Sequence, residues 1–205
     1  NYTLYPVADG KTEMKIEFGG RTLKLPVTVA KAKEDRPISF KLDVMPVFMK
    51  SGCNSGPCHG SSRGKDGFRL SLFGFDPDGD YDRLTREFIG RRINLALPED
   101  SLMMAKSVGS VQHTGGALFT KESEYYDSLL RWLKAGVPKD AADVAKAVGI
   151  EIFPKQVVLE GEGANQRLTV RATYSDGTDR DITHLVAIVS NNDVSVKVSK
   201  EGVLT

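Results

Sequence analysis

Hydrophobic and polar residues alternate at both ends of the chain, as they do in half-buried β-strands. At the start, two alternating stretches, 14–18 and 23–29, flank Gly19-Gly20, which predicts a β-hairpin with a two-residue turn. Five more strand candidates follow near the other end, at 150–154, 156–159, 166–174, 182–189 and 194–198. Short strands at this spacing are typical of a β-sandwich.

Between these ends, apolar residues recur at helical spacing. Helices are predicted at 44–49, 80–89, 102–106 and 122–135, and residues 68–73 form a short strand or an extended wall. The last helix has the clearest apolar stripe, with Leu129, Trp132 and Leu133 on one face, and it stops at Gly136 with Pro138 beyond. The middle of the chain therefore reads as a mainly α domain.

Composition narrows the class of protein without naming a function. The 205 residues are 40% hydrophobic and 27% charged, which is ordinary for a soluble protein, and the formal net charge is +1. That balance gives no reason to expect nucleic acid as a partner. No apolar run approaches the roughly 20 residues that span a bilayer. The first residues do not look like a natural start, so we expect a fragment of a longer protein.

The candidate chemistry lies in one short stretch, which contains the only two cysteines of the chain. Cys53, Cys58 and His59 stand in C-x4-C-H order. The related C-x-x-C-H pattern attaches haem: each thiol adds to a vinyl group and the histidine ligates iron. Gly56 and Pro57 suit a loop that absorbs two additional residues. The stretch predicts one covalently bound haem c per chain.

Two other interpretations of the same stretch stay open. The cysteines could form a disulfide beside a chance histidine. A structural zinc is the third possibility, but zinc needs four ligands, and His113 would have to join Cys53, Cys58 and His59 to supply them.

The sixth iron ligand has three candidates in the sequence. His113 lies in a Gly- and Thr-rich loop, whereas Met103 and Met104 lie in a predicted helix, where methionine usually fills the core. We favour His59/His113 ligation, which lowers the reduction potential relative to His/Met ligation. Arg91 and Arg92 could pair with the haem propionates, because guanidinium groups bind carboxylates in a fork, or could simply be surface arginines.

Residues 40–138 resemble the planctomycete-type cytochrome c domain of large exported proteins. The matching stretches are Gly52 to Gly56 with Cys58-His59-Gly60, then 67–77, Gly90-Arg91-Arg92 and 129–136. In that family a His-Gly-Gly stretch stands where His113-Thr114-Gly115-Gly116 stands here, so the resemblance implies His113 as distal ligand, although Thr114 departs from the pattern. It also implies haem binding, a redox role, and a periplasmic or extracellular location.

The terminal segments resemble parts of bacterial Ig-like (group 2) domains. Residues 150–205 match the first strands through Ser175-Asp176-Gly177-Thr178 and Gly202-Val203-Leu204-Thr205, and residues 1–29 match the last strands through Phe18-Gly19-Gly20-Arg21-Thr22. We expect the two parts to complete one sandwich, within a chain or by exchange in a dimer, because each alone leaves an open edge.

These observations together predict a multidomain protein. Residues 1–36 and 150–205 would form an all-β Ig-like sandwich, and residues 37–140 a mainly α cytochrome c-like haem domain. The expected function is electron transfer to an unknown redox partner protein, without enzymatic activity. A five-coordinate haem sensor or peroxidase-like enzyme, and a haem-free adhesion or scaffold module, are the alternatives.

Overall fold

The computed structural model describes residues 4–88 and 90–205, and the chain divides into two compact units, Asn1–Pro37 and Ile38–Thr205. Residues 1–3, within the predicted domain 1–36, and Ile89, within the predicted helix 80–89, lie outside the described residues. No helix in the described ranges is long and apolar enough to cross a membrane.

The first unit is a β-hairpin. Strand β1, Gly10–Phe18, pairs antiparallel with strand β2, Arg21–Val29, and the two strands form a sheet of their own. Gly19 and Gly20 both have positive φ, as the tight turn between right-twisted strands requires. The predicted hairpin is confirmed, and its strands are longer than the alternating stretches that indicated it.

The second unit contains short helices followed by short strands. The helices are α1 Met45–Lys50, α2 Pro77–Thr85, α3 Leu102–Ser107 and α4 Glu124–Lys134, and a π-helical turn precedes α1. The strands are β3 Ala147–Phe153, β4 Gln166–Arg167, β5 Thr169–Tyr174, β6 Asp179–Asp181 and β7 Val203–Leu204. They form a three-stranded sheet in the order β3-β5-β6 and a two-stranded sheet of β4 and β7.

The predicted fold class is wrong. Within residues 4–88 and 90–205 the structure is mixed, with four short α-helices and strands in small sheets, and it is not a mainly α cytochrome c-like fold. The helices stay short because glycines with positive φ, such as Gly52, Gly74 and Gly109, interrupt the chain between them.

Three predicted strands are also absent from the described part of the chain. Residues 156–159 and 182–189 run as turns and irregular backbone, 194–198 contributes only an isolated bridge from Val198 to Leu204, and 166–174 is divided between β4 and β5. Residues 68–73 are extended and end in a 3-10 turn at Leu72–Gly74. The helices at 44–49, 102–106 and 122–135 are confirmed to within a few residues.

The core of the second unit is built around α4. Trp132 is fully buried, and Phe40 lies between it and Tyr81, with ring centroids 5.3 Å from each. Leu185, from the segment after β6, is buried in the same cluster. A partly buried ion pair between Arg180 and Asp43, 2.8 Å apart, adds a polar contact between the strand region and the helical region. Residues 38–205 therefore share one core, which supports the walls of the cleft described next.

Candidate functional site

A cleft of about 1060 Å³, which includes its open mouth, lies in the second unit. The lining contains most of the residues that the sequence singles out, namely Cys53, Cys58, His59, Arg91, Arg92, Met103 and His113. These residues lie far apart in the sequence, and the fold brings them to one concave surface.

The loop that carries the two cysteines is closed by its own backbone. Cys53 N–H donates to Phe48 O at the end of α1 (2.8 Å), and His59 N–H donates to Cys53 O (2.9 Å). Gly60 must be glycine, because a Cβ there would lie 2.0 Å from the carbonyl oxygen of Asn54. The loop therefore folds back on itself and returns His59 next to Cys53, which accommodates the two additional residues of the motif.

Both cysteines are free thiols that line the cleft. Burial, reinforced by the nearby Cys58, raises the pKa of Cys53 to about 12, so this thiol is protonated at neutral pH. A protonated thiol is a poor nucleophile and a poor ligand for a bare metal ion. A reactive dithiol centre would require a thiol with a lowered pKa.

His59 is held with one nitrogen free. Its Nδ1 lies 3.1 Å from the carbonyl oxygen of Phe68. Because a carbonyl only accepts, Nδ1 must carry the proton and Nε2 keeps its lone pair. Burial lowers the pKa of His59 despite this hydrogen bond, which favours the neutral ring. A backbone acceptor for the other ring nitrogen is typical of metal-ligating histidines.

His113 makes the same kind of hydrogen bond as His59, with a carbonyl from a different segment. Its Nδ1 lies 3.0 Å from the carbonyl oxygen of Gly116, and Gly116 N–H donates back to His113 O (2.9 Å). Nδ1 again carries the proton, so Nε2 is an acceptor. Gly115 is in close contact with the ring, since a Cβ there would lie 3.0 Å from His113 Cε1.

The two imidazoles are parallel and separated. Their ring centroids lie 6.3 Å apart and their planes differ by 8°. A metal–imidazole bond is about 2.0–2.1 Å long, so parallel rings with centroids 6.3 Å apart are compatible with two ligands of one metal ion. The spacing is too wide for direct stacking.

Two histidines are enough protein ligands for an iron whose other ligands come from a porphyrin. Within residues 4–88 and 90–205, no three His, Cys, Asp or Glu side chains are grouped to hold a metal ion. A four-ligand zinc site therefore has no support in that part of the chain. Haem iron needs only two axial ligands from the protein, because the porphyrin supplies the other four.

The methionine candidates differ in position. Met103 lines the cleft, whereas Met104 is fully buried in the core. Met103 lies on α3 and its N–H donates to Arg92 O (3.1 Å). Met103 is thus the methionine that could reach a bound group, and Met104 has the usual role of a core residue.

The two arginines also differ. Arg91 is exposed, while Arg92 has 6% of its surface exposed and directs its guanidinium to three backbone carbonyls. Arg91 is the one with a guanidinium open to solvent at the cleft.

Sequence reasoning missed the carbonyls of Phe68 and Gly116, since a backbone acceptor has no side-chain signature.

Comparison of the chain with protein-family models, with curated proteins and with solved structures found no match.

Proposed function

We propose that the cleft binds one haem c and that the protein is an electron-transfer protein. Cys53 and Cys58 would attach the haem, and His59 and His113 would be its axial ligands. The observation that supports this proposal best is the pair of parallel imidazoles, 6.3 Å apart, each with Nδ1 hydrogen-bonded to a carbonyl. Both thiols line the same cleft.

Attachment needs no oxidant or reductant. Each thiol adds across one vinyl double bond: its S–H bond breaks, an S–C bond forms, and the hydrogen goes to the other vinyl carbon. The bound haem supplies one-electron redox chemistry at its iron. The reducing and oxidising partners are proteins that each exchange one electron with this site. Their identity stays open.

Two protein ligands favour electron transfer over catalysis. A peroxidase or gas sensor needs an open axial position for its substrate, and here two histidines face one another across the cleft. Ligation by two histidines gives a low potential relative to His/Met ligation. We therefore propose an electron carrier and not an enzyme.

The sequence resemblance to planctomycete-type cytochrome c domains supports the same function. Attachment of haem to cysteine takes place outside the cytoplasm, so the proposal includes a periplasmic or extracellular location. The resemblance to a cytochrome c fold does not extend to the architecture, which is mixed.

The test uses protein produced in a host with c-type haem maturation. A haem-stained denaturing gel reports covalent attachment, and optical spectra of the oxidised, reduced and CO-treated protein report the ligands. We expect haem that survives denaturation, a low-spin spectrum, no near-infrared Met–iron band and little reaction with CO.

The chain contains three histidines, which provide matched variants. His113→Ala should give a high-spin ferrous form that binds CO, and His59→Ala should impair haem incorporation. His184→Ala is the control and should behave like the unaltered protein, because its side chain lies 3.9 Å from Glu124, outside the cleft lining. A folded protein without covalent haem, produced in a competent host, would overturn the proposal.

A further inference from the structure

Arg92 is buried in the wall of the cleft and binds three carbonyls from two separate segments. Its Nη1 donates to Glu87 O (2.6 Å) and Arg83 O (3.2 Å), both near the end of α2, and its Nη2 donates to Gly67 O (3.1 Å). A planar guanidinium bound to three carbonyls has a fixed plane and a fixed position. Three of its donors are used inside the protein.

The guanidinium also covers the ring of Phe68. The Arg92 Cζ atom lies 4.3 Å from the Phe68 ring centroid, in cation–π geometry, and the Gly67 carbonyl that Arg92 binds belongs to the preceding residue. Phe68 is further held by two backbone hydrogen bonds with Lys65, at 2.8 and 3.0 Å. Arg92 therefore fixes both the backbone and the side chain at Phe68.

Phe68 in turn makes two contacts with His59. Its carbonyl oxygen accepts from His59 Nδ1 at 3.1 Å, and its ring centroid lies 4.7 Å from that of the imidazole. The tautomer of His59 depends on that carbonyl, and the orientation of the ring depends on both contacts.

We infer that Arg92 is a positioning residue for His59: it holds Phe68 so that the Phe68 carbonyl keeps Nδ1 protonated and directs Nε2 into the cleft. The inference rests on the proposed function for its purpose, since His59 is there the proximal iron ligand. The chain of contacts itself involves only the protein. Arg92 thus acts within the wall of the cleft, and Arg91 is the exposed arginine of the pair.

The first experiment uses the full chain without haem and observes the imidazole nitrogens of ¹⁵N-labelled protein by long-range ¹H–¹⁵N NMR. We expect His59 in the Nδ1–H form in the unaltered protein. In Arg92→Gln the ratio of the two tautomers should change by about three- to tenfold toward Nε2–H, the effect of one ordinary hydrogen bond. His113, held by Gly116, should not change and serves as an internal reference.

Arg91→Gln is the matched control, because it removes the same charge from the adjacent, exposed position. It should leave the His59 tautomer unchanged. If Arg92→Gln leaves it unchanged as well, the inference is wrong. If Arg91→Gln changes it equally, the effect is one of charge and not of position, which also overturns the inference.

A second variant covers the case in which Arg92→Gln does not fold, as judged by a cooperative unfolding transition. Phe68→Leu removes the ring that Arg92 covers and keeps an apolar side chain. It should loosen the same carbonyl and shift the same tautomer ratio. An unchanged His59 in folded Phe68→Leu would contradict the inference independently of Arg92.

The haem-loaded protein separates this inference from the proposed function. There, Arg92→Gln should change the electron paramagnetic resonance g-values, which depend on the imidazole orientations, and Arg91→Gln should not. Failure to take up haem would refute the function and leave the NMR result valid. Haem uptake with identical g-values in both variants would refute the positioning role alone.

Discussion

A single methyl group placed at Gly115 should test the proposed distal ligand, His113, without removing it. Gly115 does not have a positive φ, so its backbone accommodates alanine. The added Cβ would lie 3.0 Å from Cε1 of His113 and 3.5 Å from both ring nitrogens. Gly115→Ala is therefore a steric perturbation directed at the His113 imidazole.

The expected magnitude follows from that contact. Carbon atoms pack at about 3.5–4.0 Å, so the imidazole or the loop must move by about 0.5 Å or more. Overpacking of this kind costs about 1–3 kcal/mol. If the cost falls on the ligated ring, the His113–iron bond should weaken by about 5- to 150-fold, because each 1.4 kcal/mol is a factor of ten.

The assay is titration of the ferrous, haem-loaded protein with CO, which competes with His113 for the iron. The apparent CO affinity should rise by the same factor, and part of the low-spin spectrum should become high-spin. Gly56→Ala is the control: its backbone is also compatible with alanine, and a Cβ there meets nothing within 4 Å. Equal CO affinities in the two variants would refute the assignment of His113 as a ligand in contact with Gly115.

Two further predictions concern the protein without haem. Asp80→Ala should lower the free energy of unfolding by about 3–5 kcal/mol in urea, because the buried carboxylate accepts from Ser71 N–H and Oγ–H at 2.6 and 2.5 Å and from Arg83 at 2.8 Å. The exposed Asp78→Asn should cost under about 1 kcal/mol, and equal losses would contradict the network. Cys53, whose pKa is raised to about 12, should be alkylated at pH 8 on the order of a hundredfold more slowly in the folded than in the urea-unfolded chain, and equal rates would contradict its burial.

The elements that the sequence could predict are those with a local cause. The Gly19-Gly20 turn specifies the hairpin, and an apolar stripe with a terminal Gly136 specifies α4. The four residues Cys53, Cys58, His59 and His113 were singled out because their types are rare and chemically specific. Their presence in the lining of one cleft agrees with that choice.

The errors have a common physical origin in tertiary packing. Residues 182–189 have the apolar content of a strand, but only Ile182 at their start makes a backbone hydrogen bond to β5, with Val170 O (2.9 Å), and Leu185 is buried in the helical core. β-propensity measures how well a side chain packs on a half-buried surface, and a surface other than a sheet can also provide that packing. The fold class failed for a related reason: a haem motif indicates a cofactor, and cofactor sites occur on many architectures.

The two candidate ligands, His59 and His113, make the same kind of hydrogen bond, although the acceptors lie in different segments of the chain. A carbonyl accepts from Nδ1 in each case, that of Phe68 for His59 and that of Gly116 for His113. A carbonyl oxygen can only accept, so it keeps the proton on Nδ1. It also adds no negative charge near the cleft. Each Nε2 is consequently available before any cofactor arrives, and the two ligands can be perturbed separately, through Arg92 on one side and Gly115 on the other.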